Sequence, residues 1–173
     1  MVGRRELMVS GLLGGLALAG RSEAAESGVP RLELALEIIA DIAPVQNLGA
    51  GPLGDRRIVP IIGGSFEGRG ALGAGLRGKV MPGGADRQLV RTDGVRNLSA
   101  LYELQAEDGA VITVLNKVLV EDLPGGGRYA FSTPEIAAPK GPHDWLNHHV
   151  FVGTLDSLRP ARSAVRVRFY RLF

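Results

Sequence analysis

Apolar and polar residues alternate along most of the chain beyond residue 30, in runs that are too short for long helices. Residues 32–38 read LELALEI, so apolar side chains recur at every second position, as expected of a strand with one buried face. A helix is the competing interpretation, because Leu32, Leu36 and Ile39 also have helical spacing. The prolines and glycines between residues 44 and 54 would end that helix early. The pattern therefore favours a strand.

Short strand-like segments continue to the end of the chain, and none is convincing as a long helix. They cover residues 56–62, 72–80, 87–91, 98–105, 111–120, 128–133, 145–154 and 164–172. Asp93-Gly94 and Asp108-Gly109 fall between such segments and are typical of hairpin turns. Paired glycines at 63 and 64 are expected to bend a strand. About nine short strands predict an all-β protein, either a sandwich or a closed antiparallel barrel of about eight to nine strands.

The first 25 residues differ from the rest and predict a cleavable signal peptide. Arg4 and Arg5 precede an uncharged run of moderate hydrophobicity, and small residues around Ala25 suit cleavage. The run is too short for a stable membrane anchor. Adjacent arginines favour the twin-arginine route, with an ordinary secretory signal as the alternative. We therefore expect an exported protein, periplasmic or secreted, with a single domain at residues 26–173.

Charge and composition exclude several classes of function. The formal charge of the whole chain is +2, and its basic residues form no clustered stripe of the kind that nucleic acids require. Cysteine is absent, which excludes disulfides, thiolate catalysis and cysteine-based metal sites. No phosphate-binding loop or dinucleotide fingerprint is present. The sequence thus predicts no cofactor and no nucleic-acid partner, and it defines no oligomeric state.

Several separated motifs, in a consistent order, carry a resemblance to a known family. They are RRIVPIIGG, the glycine-rich stretch GGSFEGRGALGAGLRGKVMPGGADRQLVRTDG, LYELQAEDGAVI and HDWLNHHVFVG. Over roughly residues 31–172 the chain resembles the DUF3237 family, also called UPF0311, a set of small β-barrel proteins with largely unassigned chemistry. The resemblance implies the barrel rather than the sandwich.

Three positions depart from the pattern of that family. Arg87 stands where the family usually has Trp, Leu101 stands where it usually has Arg, and His143 replaces an aromatic residue. If the usual Trp and Arg line the family pocket, the ligand of this chain need not be the usual one of the family.

Inward-facing polar residues decide what such a barrel does, because about eight strands enclose room for side chains or one small ligand. Asp86 and Gln88 share one strand face, and Arg91 follows near the strand end. Tyr102 is expected to face inward with Leu104. A carboxylate in the barrel interior would have a raised pKa unless Arg91 compensates its charge. The alternative is that Asp86 forms a structural ion pair or caps a turn.

A second group of candidates comes from residues 145–154. If this segment is a strand, Trp145, Asn147 and His149 share one face with Phe151, and they would offer a ligand an aromatic surface and hydrogen-bonding groups. The alternative is that His149 faces water. His148 and His149 would point to opposite faces, so the sequence predicts no metal site there.

Two hypotheses follow for the interior of the barrel. In the first, the protein binds a small aromatic or carbonyl-bearing molecule through Gln88, Arg91, Trp145, Asn147 and His149. In the second, the same cavity is the site of a cofactor-free lyase, isomerase or cyclase, with Asp86 as general base and Tyr102 or Arg91 stabilising the oxyanion. The sequence leaves both open.

Overall fold

The computed structural model describes residues 28–173. The predicted signal segment, residues 1–25, lies outside the described residues and stays a prediction. The described part is all-β, which confirms the predicted fold class. Its strands are β1 (Leu32–Ile42), β2 (Gln46–Gly51), β3 (Gly54–Gly68), β4 (Arg77–Val80), β5 (Ala85–Val90), β6 (Arg96–Ala106), β7 (Val111–Asp122), β8 (Arg128–Ala137), β9 (Phe151–Ser157) and β10 (Ala164–Leu172). Two short helical segments accompany them, α1 (Gly70–Gly73) and the 3₁₀ segment Asp144–His148.

The strands form one antiparallel sheet that closes on itself. Neighbouring strands follow the order β1-β10-β9-β8-β7-β6-β4-β3, and β3 pairs with β1 to close the sheet. Strands β4 and β5 share one position, since each pairs with a different part of both β3 and β6. The result is an eight-position barrel, with β2 as an extension that pairs with the first part of β3.

Alternation along each strand fills the barrel with apolar side chains. On β6 and β7 every second residue is buried, from Ala100 to Ala106 and from Ile112 to Val120. The glycine pair lies where the alternation of β3 changes phase, between buried Ile61 and buried Phe66. The pairing of β1 with β3 shifts register beside it. The glycines that were expected to bend a strand thus lie within β3, at the point where its inward face changes phase.

The barrel has a filled end and an open end. The strands end in α1, the β6–β7 turn and the 3₁₀ segment at the filled end, where the largest fully buried side chains include Leu36, Leu104, Ile112, Leu146 and Phe169. The opposite end carries the β5–β6, β7–β8 and β9–β10 connections. At this open end a smaller cluster of Val118, Val120 and Ala130 lines the wall.

Two hairpin turns have the chemistry that the sequence predicts. The carboxylate of Asp93 accepts a hydrogen bond from the Val95 N–H, and that of Asp108 accepts one from the Ala110 N–H. Both following glycines have positive φ angles, 87° for Gly94 and 90° for Gly109. The side chains thus hold the turns that glycine makes accessible.

Two boundary predictions are wrong, and one strand was not predicted. Residues 72–80 contain the end of α1 and a short β4, because positive-φ Gly75 interrupts the segment. Residues 145–154 begin as 3₁₀ structure and become a strand only at Phe151. Strand β2 was not predicted, since its residues QNLGAG are all exposed except the last and show no alternation. Within residues 28–173, no helix has the length and apolar character needed to cross a membrane.

Replacing Gly64 by Ala should lower the free energy of unfolding by more than replacing Gly63 by Ala. Both residues have positive φ angles, 129° and 153°, so each variant carries backbone strain of about 1–3 kcal/mol. Only at position 64 would the new Cβ lie 2.0 Å from a backbone oxygen, that of Ile39, whereas at position 63 it would meet nothing within 4 Å. Urea unfolding of both variants measures the difference, and equal losses would contradict the close approach of β1 to β3.

Candidate functional site

The open half of the barrel encloses a cavity of about 190 Å³. Most of its wall is apolar, with side chains such as Ile61, Ala100, Val118 and Val167. Asp86, Gln88, Tyr102 and Asn116 supply polar groups to the same lining. The volume is below the roughly 300–1,000 Å³ of pockets for drug-sized ligands, so the cavity suits a small metabolite.

Three neighbouring strands place the polar groups close to one another. Asp86 on β5 pairs with Ala100 on β6, and Ala100 pairs with Asn116 on β7. The three side chains therefore lie in one row across the sheet, and the small methyl group of Ala100 leaves space between the two polar residues. Tyr102 lies two residues further along β6 on the same inward face, and only 2% of it is exposed.

Asp86 is a buried carboxylate without a cationic partner. Its Oδ2 accepts a hydrogen bond of 2.6 Å from Gln88 Nε2. Its Oδ1 is buried and has no hydrogen-bond partner among residues 28–173, and no ion pair in that part of the chain includes Asp86. Burial raises the pKa of Asp86 above its ordinary value of 3.8, and hydrogen bonds from Gln88 and from the backbone of Ser99 oppose this shift. The carboxyl group can therefore exchange a proton closer to neutral pH than an exposed one.

Tyr102 contributes a hydroxyl group that stays protonated. Burial raises the pKa of Tyr102 above its ordinary value of 10.0, and the negative charge of Asp86 raises it further. The hydroxyl oxygen is buried without a hydrogen-bond partner in the described part of the chain, as is Oδ1 of Asn116. Native structures rarely leave such groups unpaired. Asp86, Tyr102 and Asn116 thus place three buried, unpaired polar atoms in the wall of one cavity.

Arg91 does not reach this cavity, which corrects its predicted place in the site. It follows the last residue of β5, is exposed, and forms an ion pair with Asp93 in the same turn. The cations that do line the cavity are Arg96, Arg128 and Arg159. None of the three was predicted.

Trp145, Asn147 and His149 also lie away from the cavity, at the filled end of the barrel. The expectation that they share a face with Phe151 is wrong, because the 3₁₀ segment replaces strand alternation up to His148. The ring of Trp145 lies 6.2 Å from that of Phe151 and packs against the core. His149 Nδ1 is 2.7 Å from the Trp145 carbonyl oxygen. These side chains lie at the closed end of the barrel and take no part in the lining of the cavity.

Asn147 holds the 3₁₀ segment to the end of β8. Its Oδ1 accepts a hydrogen bond of 2.9 Å from the Ala138 N–H, and its Nδ2 donates to the Ala138 carbonyl at 3.0 Å and to Asp144 at 2.7 Å. Both polar atoms of the Asn147 side chain are thus engaged in hydrogen bonds within the protein, so the side chain has a structural role.

The positions that depart from the family pattern lie outside the cavity. Arg87 is exposed between Asp86 and Gln88, and 45% of Leu101 is exposed beside inward-facing Tyr102. Both therefore belong to the outer wall. His143 Nε2 lies 2.8 Å from a carboxylate oxygen of Asp108 and links the loop before the 3₁₀ segment to the β6–β7 turn.

Two signals in the sequence could have identified more of the site. Along β7, Asn116 is the one polar residue among the inward positions from Ile112 to Val120. Along β6, the alternation that places Tyr102 and Leu104 inward also places Arg96 inward. Arg128 is in phase with buried Ala130 on β8, but the larger apolar residues Tyr129 and Phe131 are exposed there, so the sequence pattern favours the wrong face. Arg159 lies in the connection between β9 and β10, where no alternation exists. Among the described residues, no three His, Asp or Glu side chains are arranged to hold a metal ion.

The geometry defines the protein as a small antiparallel β-barrel with one apolar interior cavity and a polar cluster on its wall. The chain belongs to DUF3237, a protein family of unknown function whose model matches residues 30–172. It is 34% identical over 143 residues to a UPF0311 protein of Rhodopseudomonas palustris (strain TIE-1). The match covers 75% of this chain and 87% of that protein.

Solved structures share the fold. A β-barrel-like protein from Acinetobacter baumannii AYE is similar with a TM-score of 0.74 and 29% identity, over 86% of this chain and 99% of that chain. A protein of unknown function from Clostridium acetobutylicum is similar with a TM-score of 0.73 and 29% identity, over 84% of this chain and all (100%) of that one. The predicted family and barrel are confirmed.

The free energy of unfolding of Asp86→Asn, measured relative to that of the wild type, should increase as the pH rises from about 4 to about 7. Burial raises the folded-state pKa of Asp86, so the folded protein keeps a proton over a pH range in which the unfolded chain has released it. The wild type therefore loses stability through that range, and the variant does not. Urea unfolding at several pH values measures the difference.

The matched control is Asp108→Asn. The Ala110 N–H, followed by His143, holds the pKa of Asp108 below its ordinary value, so this variant should lose stability relative to the wild type as the pH rises towards about 5, between the lowered folded-state pKa and the unfolded one. If Asp86→Asn follows the same direction as the control, the raised pKa of Asp86 is contradicted.

Replacing Asn147 by Ala should lower the free energy of unfolding by about 1–2 kcal/mol, because the variant loses all three hydrogen bonds of that side chain. Thermal or urea unfolding measures the loss. His148→Ala is the control, because the His148 side chain is 68% exposed and its Nε2 makes only a long contact of 3.4 Å with Asp144 Oδ2. The control should change the free energy of unfolding by no more than about 0.5 kcal/mol. Equal stability of the two variants would argue against the structural role of Asn147.

Proposed function

We propose that the protein binds a small molecule in the cavity, with a polar end of the molecule against Asp86, Tyr102 and Asn116. The observation that carries this proposal is the convergence of three buried, unpaired polar atoms on one cavity. Each unpaired buried group costs about 1–3 kcal/mol of folding stability. A ligand that satisfies all three would recover much of that cost on binding.

The contrast between the two halves of the barrel supports a binding role. The same strands fill the other half with Leu36, Leu104 and Ile112, each of them fully buried. An apolar core of that kind would have served the open half equally well, and replacing buried polar groups by well-packed apolar ones is often neutral or stabilising. Stability alone therefore gives no reason for the polar cluster.

The chemistry of the lining indicates what the ligand carries. The Tyr102 hydroxyl can donate a hydrogen bond, which suits a carbonyl or hydroxyl oxygen. The Asn116 and Asp86 oxygens accept hydrogen bonds, which suits a hydroxyl or N–H group. Apolar walls of Ile61, Val118 and similar residues suit an aromatic or aliphatic body. A small aromatic or carbonyl-bearing molecule fits this description.

A second candidate function is cofactor-free acid–base catalysis in the same cavity. It is favoured by the raised pKa of Asp86 and by the position of its unpaired Oδ1 in the same cavity as the Tyr102 hydroxyl. Asp86 would take a proton from a carbon next to a carbonyl group, and Tyr102 would donate a hydrogen bond to the oxyanion that forms. Such a step belongs to an isomerase, lyase or cyclase.

Native mass spectrometry of protein purified from its own source should show a bound small molecule that is absent from Ala100→Leu. The larger side chain fills the space between Asp86 and Asn116 without removing any hydrogen-bonding group. Ala50→Leu on exposed β2 is the matched control and should retain the molecule. If the wild type carries no adduct, or if Ala100→Leu carries as much as the control, the proposed site is wrong.

The same measurement on Asp86→Asn separates the two candidate functions. Simple binding predicts that the variant holds the same molecule as the wild type, more weakly. Catalysis predicts that the variant accumulates a different molecule, an unconverted substrate that the wild type transforms.

A further inference from the structure

We infer that the ligand of the cavity is a small organic carboxylate, held with its carboxylate group at the open end of the barrel by Arg159 and Arg96. This inference rests on the proposed function. It names the chemical class of the ligand and its orientation.

Three guanidinium groups surround the opening of the cavity. Arg96 begins β6, Arg128 begins β8, and Arg159 lies in the connection between β9 and β10. The register places the first two at the same end, since Arg96 pairs with Val120 and Arg128 pairs with Asp122 on β7. Apart from Asp86, the lining contains no carboxylate among the described residues. The opening is therefore strongly positive.

The positive charge of this opening is only partly neutralised. Asp122 forms ion pairs with both Arg96 and Arg128. Arg159 forms none within residues 28–173, and its Nη2 donates only to the Ser163 hydroxyl at 3.3 Å. Three arginines thus face one carboxylate at the rim, and an anionic group at the rim would balance part of the remaining charge.

Arg96 also has an unsatisfied donor. Its Nη2 donates to Asp122 at 2.8 Å, but its Nε is buried and has no hydrogen-bond partner in the described structure. A guanidinium group pairs strongly with a carboxylate through parallel N–H donors. Arg96 therefore has one unused donor in the wall of the cavity, while Asp122 fixes the orientation of its side chain.

Charge also decides which end of the ligand points outward. Asp86 lies deep in the cavity, in the row of Ala100, four residues along β6 from Arg96. Four residues of strand span roughly 13 Å. A carboxylate next to Asp86 would be repelled, whereas one at the rim is attracted. The apolar body of the ligand then occupies the space between them.

The lining favours a carboxylate over a phosphate group. Phosphate sites usually combine several backbone N–H groups with the N-terminus of a helix. Every residue of this lining belongs to a strand or to a connection between strands. The rim instead offers guanidinium groups, which suit the planar geometry of a carboxylate.

Isothermal titration with 4-hydroxyphenylacetate and with its uncharged amide, 4-hydroxyphenylacetamide, tests the inference. The two probes have nearly the same size and the same phenol group. At neutral pH and low salt, the acid should bind at least about tenfold more tightly, because a hydrogen-bonded ion pair in a partly buried site exceeds a neutral contact. Arg159→Gln and Arg96→Gln should each remove most of this preference.

Arg77→Gln is the matched control. It removes the same charge from an exposed arginine at the filled end of the barrel, where Arg77 pairs with Glu107, and it should leave the preference unchanged. Arg159→Gln is the decisive variant for the rim, since Arg159 takes part in no ion pair of the described residues and its loss should not affect folding.

The outcomes separate this inference from the proposed function. Equal binding of the acid and the amide overturns the inference and leaves small-molecule binding intact. A preference for the acid that persists in both rim variants overturns the role of the arginines. Binding of neither probe also counts against the inference, whereas the adduct in native mass spectrometry tests the proposed function independently. A recovered molecule without an acidic group would overturn the inference as well.

Discussion

Closure of the sheet through the pairing of β1 with β3 is the constraint on which the rest of the structure depends. Once the sheet is closed, side-chain alternation becomes a division between interior and exterior on every strand. The closure requires a close approach at Gly64, where a Cβ would overlap the carbonyl oxygen of Ile39. Gly64 is thus a condition for the enclosed cavity, although it lies outside the lining of that cavity.

Within the closed barrel, the same strands support two different interiors. The filled half buries large apolar side chains, and the 3₁₀ segment closes it through Leu146 and Trp145. The open half keeps smaller apolar residues and introduces polar groups at Asp86, Tyr102 and Asn116. Because the two halves share strands β6 and β7, the packed half provides a rigid frame for the polar cluster. Rigid positioning of this kind is what a specific binding site or a catalytic carboxylate requires.

Alternation made much of this arrangement predictable from the sequence. The inward positions of Tyr102 and Leu104, and the shared face of Asp86 and Gln88, follow from a period of two. The same argument failed for Trp145, Asn147 and His149, because a 3₁₀ segment has no such period and local hydrogen bonds of Asn147 stabilise it against the end of β8. Arg128 and Arg159 were unpredictable for another reason, since the large apolar residues Tyr129 and Phe131 beside Arg128 face outward, and Arg159 lies in a connection between strands.

The departures from the family pattern can now be interpreted through the same geometry. Arg87 and Leu101 occupy positions that alternate with Asp86 and Tyr102, and both lie on the outer wall of the barrel. A change of side chain there alters the surface and leaves the cavity lining unchanged. These departures therefore give no reason to expect a different cavity ligand. Selectivity must come from the interior row, through the unpaired atoms of Asp86, Tyr102 and Asn116, and from the charge at the open end of the barrel.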